Sequence, residues 1–260
     1  MPMTHQQCEQ FLEYVLDSTS RMVECGAEAR RVENTALYLT EAYGFELRCA
    51  NAINSKVDVA VKAPDGTHYT QSVRVLSTGT DLGKLEQLNA LARKICNEKP
   101  SLEEIGALLE REKQSSYPIW LEFIGYVIMT FGFAIFFGGD AVDGLVSALI
   151  SIPIFGMNQL LNHRLQASQN RLFYTMIASF LAGVLALASV RLGFGHNADQ
   201  IMIGDVMLFI PGLSIVNGVR ELFYRDIITG IYRLIEAIIL AVAIAAGFGM
   251  AILLFGGVPS

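Results

Sequence analysis

The spacing of apolar positions changes character twice along this chain. Cys8, Phe11, Leu12, Val15, Leu16, Met22 and Val23 recur at intervals of three and four, which predicts an amphipathic helix. Glu24-Cys25-Gly26 ends it, and a second helix is expected from about Ala27 to Tyr43, closed by Gly44. Phe45–Ala50 and Val57–Lys62 then alternate as half-buried strands do. Pro64-Asp65-Gly66-Thr67 is a turn sequence, and Tyr69–Leu76 should return as the partner strand. Helical spacing resumes at Leu82, Leu85, Leu88, Ala92 and Ile95, and Ser101 with Glu104 makes a capping box for a last helix to about Lys113. Two helices, about three strands and two helices imply a small α+β domain over residues 1–117, with a linker near Gln114–Pro118.

Beyond the linker the pattern becomes continuously apolar. Five stretches approach the roughly 20 residues that a transmembrane helix needs: Ile119–Gly138, Gly144–Leu161, Leu172–Val190, Ile201–Val219 and Leu234–Phe255. Residues 118–260 are therefore expected to form an all-α membrane domain of five transmembrane helices. Pro153 interrupts the second stretch and Pro211-Gly212 the fourth. Charge follows the same division. Residues 1–117 hold 13 Lys/Arg and 17 Asp/Glu, whereas 118–260 hold 6 Arg, 8 acids and no Lys. With the first half in the cytoplasm, the inner loops carry Arg164, Arg171, Arg220, Arg225 and Arg233, against Arg191 alone outside. That asymmetry predicts an inner-membrane protein with its amino terminus inside and its carboxyl terminus outside.

Several functions lose support at once. The net charge of −6 comes with no basic stripe, so no nucleic acid is expected. Cys8, Cys25, Cys49 and Cys96 lie at irregular spacing in the soluble half, as reduced cytosolic thiols do. The four histidines are scattered, and neither a metal nor a cofactor is expected. There is no GxGxxG, no Walker motif and no nucleophile elbow, and the first twenty residues do not read as a signal peptide. Arg30-Arg31-Val32-Glu33, the densest charge cluster of the soluble half, reads as a solvated helix face. The chain is not expected to be an enzyme.

The fourth stretch carries the candidate chemistry. A proline and glycine in mid-span free backbone groups, and lipid tolerates these only against protein or a water-filled cavity. Pro211, Gly212, Ser214 and Asn217 would then line a solute pathway, with Arg220 attracting an anion from the inner side. The second stretch has a similar outline, Pro153 followed by Asn158. Ionisable groups at membrane depth are costly, so each is a candidate for coupling or gating. Asp205 lies near the outer start of the fourth span and Glu236 near the inner end of the fifth, three residues after Arg233, with which it would pair. Arg220, Glu221, Arg225 and Asp226 crowd the inner loop as a charged gate or as anchors of the topology, while Glu122 and Asp205 should both reach the interface.

Taken together, Ile210-Pro211-Gly212, Asn217, Arg220-Glu221, Asp226, Gly230, Arg233 and Glu236-Ala237 resemble the signature of the threonine/serine exporter family. Gly26-Ala27-Glu28, Arg31-Val32-Glu33 and Tyr43-Gly44 in the soluble half, Tyr117-Pro118-Ile119-Trp120 and Gly138-Gly139-Asp140 are similar too. Glu221 stands where that family more usually has Asp, and Arg225 where it has Gly. The resemblance implies an inner-membrane exporter of small hydrophilic metabolites. Ending after five predicted spans, the chain looks like the larger subunit of the split version, completed by a small membrane subunit. That arrangement is associated with C4-dicarboxylates such as succinate, and the single-chain arrangement with threonine and serine.

The function expected is a secondary exporter subunit, driven by the proton gradient through Glu236 or Asp205. Five helices enclose little space, so a second membrane subunit, a homo-oligomer or both are expected as partners, besides lipid and the solute. Ala178, Ala182, Gly183, Ala186, Ala245, Ala246 and Gly249 offer small faces for close helix packing. The alternative is a membrane-anchored sensor or scaffold whose cytoplasmic domain binds a metabolite or protein.

Overall fold

The structure is a computed structural model that describes residues 3–53, 55–76, 79–113, 118–164 and 171–255. Residues 114–117 of the expected linker, with Tyr117 of the family resemblance, lie outside the described residues. So do residues 165–170, expected as an inner loop, and the side chain of Arg164. Two compact units emerge: residues 1–116 with 216–233, and residues 117–215 with 234–260.

The first unit is α+β, as expected. Helices α1 (His5–Glu24) and α2 (Ala29–Ala42) precede strands β1 (Glu46–Ile53), β2 (Lys56–Lys62) and β3 (His68–Arg74); α3 (Leu82–Glu98) and α4 (Leu102–Lys113) follow. The strands form one antiparallel sheet in the order β1-β2-β3, with a register shift between Glu46 and Cys49. Alternation on β2 puts Val57, Val59 and Val61 inside, where Phe11, Leu12, Val15, Val32, Leu88, Ile105 and Leu109 from the helices meet them. Each such side chain contributes about 1.5–3 kcal/mol by leaving water. Local signals hold as read. Asp65 accepts from the Thr67 amide in the β2–β3 turn, and Ser101 and Glu104 exchange the reciprocal bonds of a capping box. All four cysteines are free, and burial pushes the Cys25 thiol up to about 11.

The second unit contains α5 (Ile119–Phe136), α6 (Ala141–Arg164), α7 (Arg171–Arg191), α8 (Ala198–Val206), the start of α9 (Gly212–Phe223) and most of α10 (Ile227–Leu254). Its buried centre is Val146, Ile150 and Ile154 of α6, Ala182, Ala186 and Leu187 of α7, and Ala198, Ile201 and Met202 of α8. Large apolar side chains such as Ile128, Val242 and Leu253 point outward, as a lipid-facing surface requires.

The described spans differ from the reading along the chain in two places. Four described helices, α5, α6, α7 and α10, are each long and apolar enough to cross a membrane by themselves, against the five stretches read from the sequence. The fourth stretch is divided between α8, of nine residues, and α9, of twelve. At about 1.5 Å per residue neither reaches across a hydrocarbon core of about 30 Å. The break is abrupt. Leu208 and Phe209 bond back three residues to Asp205 and Val206, after which Ile210 and Pro211 leave the helix. Pro153, by contrast, does not interrupt α6. One lost amide is tolerated inside a packed apolar helix, and the Ser151 hydroxyl bonds the Ala148 carbonyl beside the carbonyl that proline leaves unpaired.

Candidate functional site

The elbow between α9 and α10 is built by backbone chemistry. The Arg225 amide bonds the Leu222 carbonyl and the Asp226 amide bonds the Glu221 carbonyl, the two bonds of a Schellman ending. Arg225 occupies the left-handed position that this ending demands, with φ 66°. Asp226 then caps α10, its carboxylate accepting from Thr229 at 3.4 Å. Gly230 lets the two helices close up, because a Cβ there would lie 2.8 Å from the Gly218 carbonyl oxygen.

Within the same unit the elbow grips the turn between α1 and α2. That turn is fixed by Gly26, at φ 87°, whose missing side chain makes room for the Gly79 carbonyl. Asn217 donates to the Gly26 carbonyl at 3.3 Å, and Arg220 pairs with Glu28. Glu221 accepts from the Ala29 amide at 3.2 Å, while Arg233 donates to the Ala27 carbonyl at 2.6 Å. Glu221 and Arg233 are 2% and 5% exposed, and Glu221 Oε2 lies 3.1 Å from Arg233 Nε, off the line of a good hydrogen bond. Burial raises the Glu221 carboxyl above its ordinary range, and the Arg233 charge only partly opposes this.

In the second unit, Asp205 at the end of α8 is 0% exposed. Its Oδ1 accepts from Ser147 of α6 at 2.7 Å, and its Oδ2 has no partner among the described residues. Neighbouring Gly204 allows this approach: a Cβ there would meet Ser147 Oγ at 2.7 Å and the Thr130 carbonyl at 2.9 Å. Glu236 does not pair with Arg233. It faces Arg171 at 3.7 Å, because the Arg233 guanidinium is drawn to Glu221 and Ala27. Glu122 accepts from Gln159 at 2.9 Å. Pro211 is buried, Ser214 half-buried and Gly212 exposed. Gly212 has neither a positive φ nor a close neighbour, so the break rests on Pro211 rather than on the freedom of the glycine.

A family model of threonine/serine exporters, ThrE, matches residues 13–255. The chain belongs to the threonine/serine exporter family. A Klebsiella aerogenes protein described as "Probable succinate transporter subunit YjjP" is 24% identical over 236 residues, 90% of each chain. A Mycobacterium tuberculosis "Probable threonine/serine exporter" is 22% identical over 240 residues, covering 90% of this chain and 45% of its own. "Pheromone-regulated membrane protein 10" of Saccharomyces cerevisiae is 25% identical over 200 residues, 74% of this chain and 51% of its own. This chain therefore spans nearly all of the Klebsiella protein and about half of the other two. No solved structure matches.

In this exporter-family chain the two distant parts of the resemblance meet: Gly26-Ala27-Glu28 is what Asn217, Arg233 and Arg220 hold, and Glu221 holds the next residue, Ala29. Pro211, Gly212 and Ser214 are not part of that cluster. Reading along the chain missed the meeting, because Arg233 and Glu221 each have an opposite charge nearby in sequence and their burial shows only in the fold. It also missed Asp143, whose carboxylate accepts from the Asp140, His196 and Asn197 amides and from the Asn197 side chain. Asp140, Asp143 and His196 could gather around an ion. With both Asp143 oxygens occupied and His196 Nδ1 2.6 Å from Asp140, the group works as a loop clamp.

Proposed function

We propose that this chain is one subunit of a proton-driven secondary exporter of small hydrophilic metabolites, either amino acids of the threonine/serine type or C4-dicarboxylates such as succinate. It would lie in a bacterial inner membrane with its amino terminus in the cytoplasm and its carboxyl terminus outside. The observation that carries the reading is the buried Asp205 carboxyl, one oxygen without a partner among the described residues, at the point where α8 breaks off before Pro211. A carboxyl held out of water at such cost marks a proton or ion pathway. A broken helix supplies the backbone groups a solute can use.

In this reading Asp205 takes up and releases the coupling proton, and Pro211, Gly212 and Ser214 border the solute path. Asn217 and Arg220 reach the solute only after releasing Gly26 and Glu28, so the Glu221–Arg233 elbow, set by Asp226, acts as the gate. Glu236 is the lesser coupling candidate, since Arg171 already neutralises it. The Klebsiella relative is described as a transporter subunit, which supports a second membrane subunit as partner.

Flux from proteoliposomes holding the chain and its partner tests this. Labelled succinate or threonine should move under an imposed pH gradient. Asp205→Asn keeps the Ser147 hydrogen bond but cannot ionise, and should cut that flux at least tenfold, about 1.4 kcal/mol in barrier, with insertion unchanged. Full flux in that variant removes Asp205 from coupling; no flux of either solute in the wild type removes the exporter reading. Binding of a metabolite without flux would favour the sensor.

A further inference from the structure

The first unit contains a groove of about 920 Å³ between α2 and α3. Its walls are one face of α2, with Arg30, Arg31, Asn34 and Tyr38, and one face of α3, with Asn89, Arg93 and Asn97. Small residues make the furrow. Ala42 and Ala92 line it where longer side chains would fill the space between the helices. The size is within the range of small-molecule sites, roughly 300–1,000 Å³.

The charges in this groove do not cancel. Its two acids, Glu28 and Glu41, are both turned to other cations: Glu28 pairs with Arg220 and Glu41 faces Arg48 at 3.5 Å. None of the three arginines has a carboxylate ion-pair partner among the described residues. Arg30 lies over the Tyr224 ring, 4.8 Å from its centroid, and within Coulombic reach of Glu33, which itself accepts from the Ala52 amide. Arg31 spends its Nε on Asn89 Oδ1 at 3.2 Å, which orients the guanidinium and leaves its terminal nitrogens for another acceptor. Three forked donors in one concave site suit carboxylate and phosphate oxyanions, which guanidinium binds bidentately. Tyr38, 63% exposed, and Tyr224, 53% exposed, add flat surfaces at the rim.

We propose that the α2–α3 groove binds a small organic polyanion, a dicarboxylate or a phosphate compound, through Arg30, Arg31 and Arg93. Tyr224 and Glu28 belong to both the groove and the elbow contacts, so a bound anion that draws Arg30 from Tyr224 acts on the elbow as well. The site lies wholly in the first unit and stands whether or not the chain exports a solute.

The test is calorimetric titration of the full chain in detergent at fixed ionic strength, with succinate and with inorganic phosphate as separate probes and succinamide as the neutral control. At least one anion should bind and succinamide should not; the anion that binds tells a dicarboxylate site from a phosphate site. Arg93→Gln and Arg31→Gln should each weaken binding at least tenfold, about 1.4 kcal/mol, and Arg93→Lys should recover only part of it. Circular dichroism melting confirms that each variant is folded, and Arg30→Gln takes the place of any that is not. Heats no larger than those of chloride for both anions, or affinities unchanged in the folded variants, overturn the proposal. Failure here would leave flux through the exporter unaffected.

Discussion

Glu221 and Arg233 face each other at 3.1 Å across the α9–α10 elbow, and each also reaches the same short turn, Glu221 to the Ala29 amide and Arg233 to the Ala27 carbonyl. One buried pair thus joins two helices to the connection between α1 and α2. Removing one partner leaves the other charge buried and only half satisfied, the costly case.

Arg233→Met should therefore lower the stability of the chain by about 3–5 kcal/mol. Glu221→Gln should cost less, about 1–2 kcal/mol, because glutamine still accepts from Ala29 and sheds the charge that burial penalises. Thermal denaturation in detergent ranks the two, and a smaller loss for Arg233→Met would show that the elbow does not depend on this pair.

Arg225 sits at φ 66°, a conformation that costs an L residue roughly 1–2 kcal/mol. Glycine meets no such penalty. Arg225→Gly should raise stability by up to ~1 kcal/mol, the rest being offset by the freer unfolded chain, and Arg225→Val should lower it. Denaturant midpoints of the two variants should move in opposite directions.

Gly204 has no room for a methyl group. A Cβ would lie 2.7 Å from Ser147 Oγ and 2.9 Å from Ala134 Cβ. Gly204→Ala should destabilise the second unit by about 1–3 kcal/mol and push Ser147 away from Asp205. Cysteine cross-linking between α6 and α8 would report the separation; an unchanged cross-linking rate with an unchanged melting point would contradict the tight packing.

The Asp140–His196 contact makes a pH prediction. The Asp140 carboxylate holds His196 above its ordinary 6.5, and the Asp143 amide with His196 holds Asp140 below its ordinary 3.8. The His196 contribution is complete below pH 6.5 and is lost as pH rises through the raised value. The Asp140 contribution is complete above 3.8 and is lost as pH falls through the lowered value. Melting temperature should therefore decline at the alkaline side of that window, and His196→Ala should abolish the decline. Both groups are exposed, so the effect should shrink in high salt.

Where the residues that decide a feature are neighbours in the chain, reading along it succeeded. The Ser101–Glu104 capping box, the turn at Asp65 and the break before Pro211 each depend on a few consecutive residues, and each was readable from them. Pro153 misled because a proline's effect on a helix depends on what surrounds it. Glu236 misled for a related reason: its neighbour at three residues, Arg233, is taken by Glu221 and by the distant Ala27 carbonyl.

The run of amino acids alone settled which segments are amphipathic, which are apolar enough for lipid and where the helix must give way, because these are properties of spacing and covalent geometry. It also carried the family, through residues spread over most of the chain. Only the folded molecule decided that the Gly26–Glu28 turn meets Asn217, Arg220 and Arg233, that Glu236 answers to Arg171, and that three arginines of α2 and α3 share one groove. Pairing of charges is a matter of distance in space, and residues some two hundred positions apart acquire a distance only when the core between them has closed.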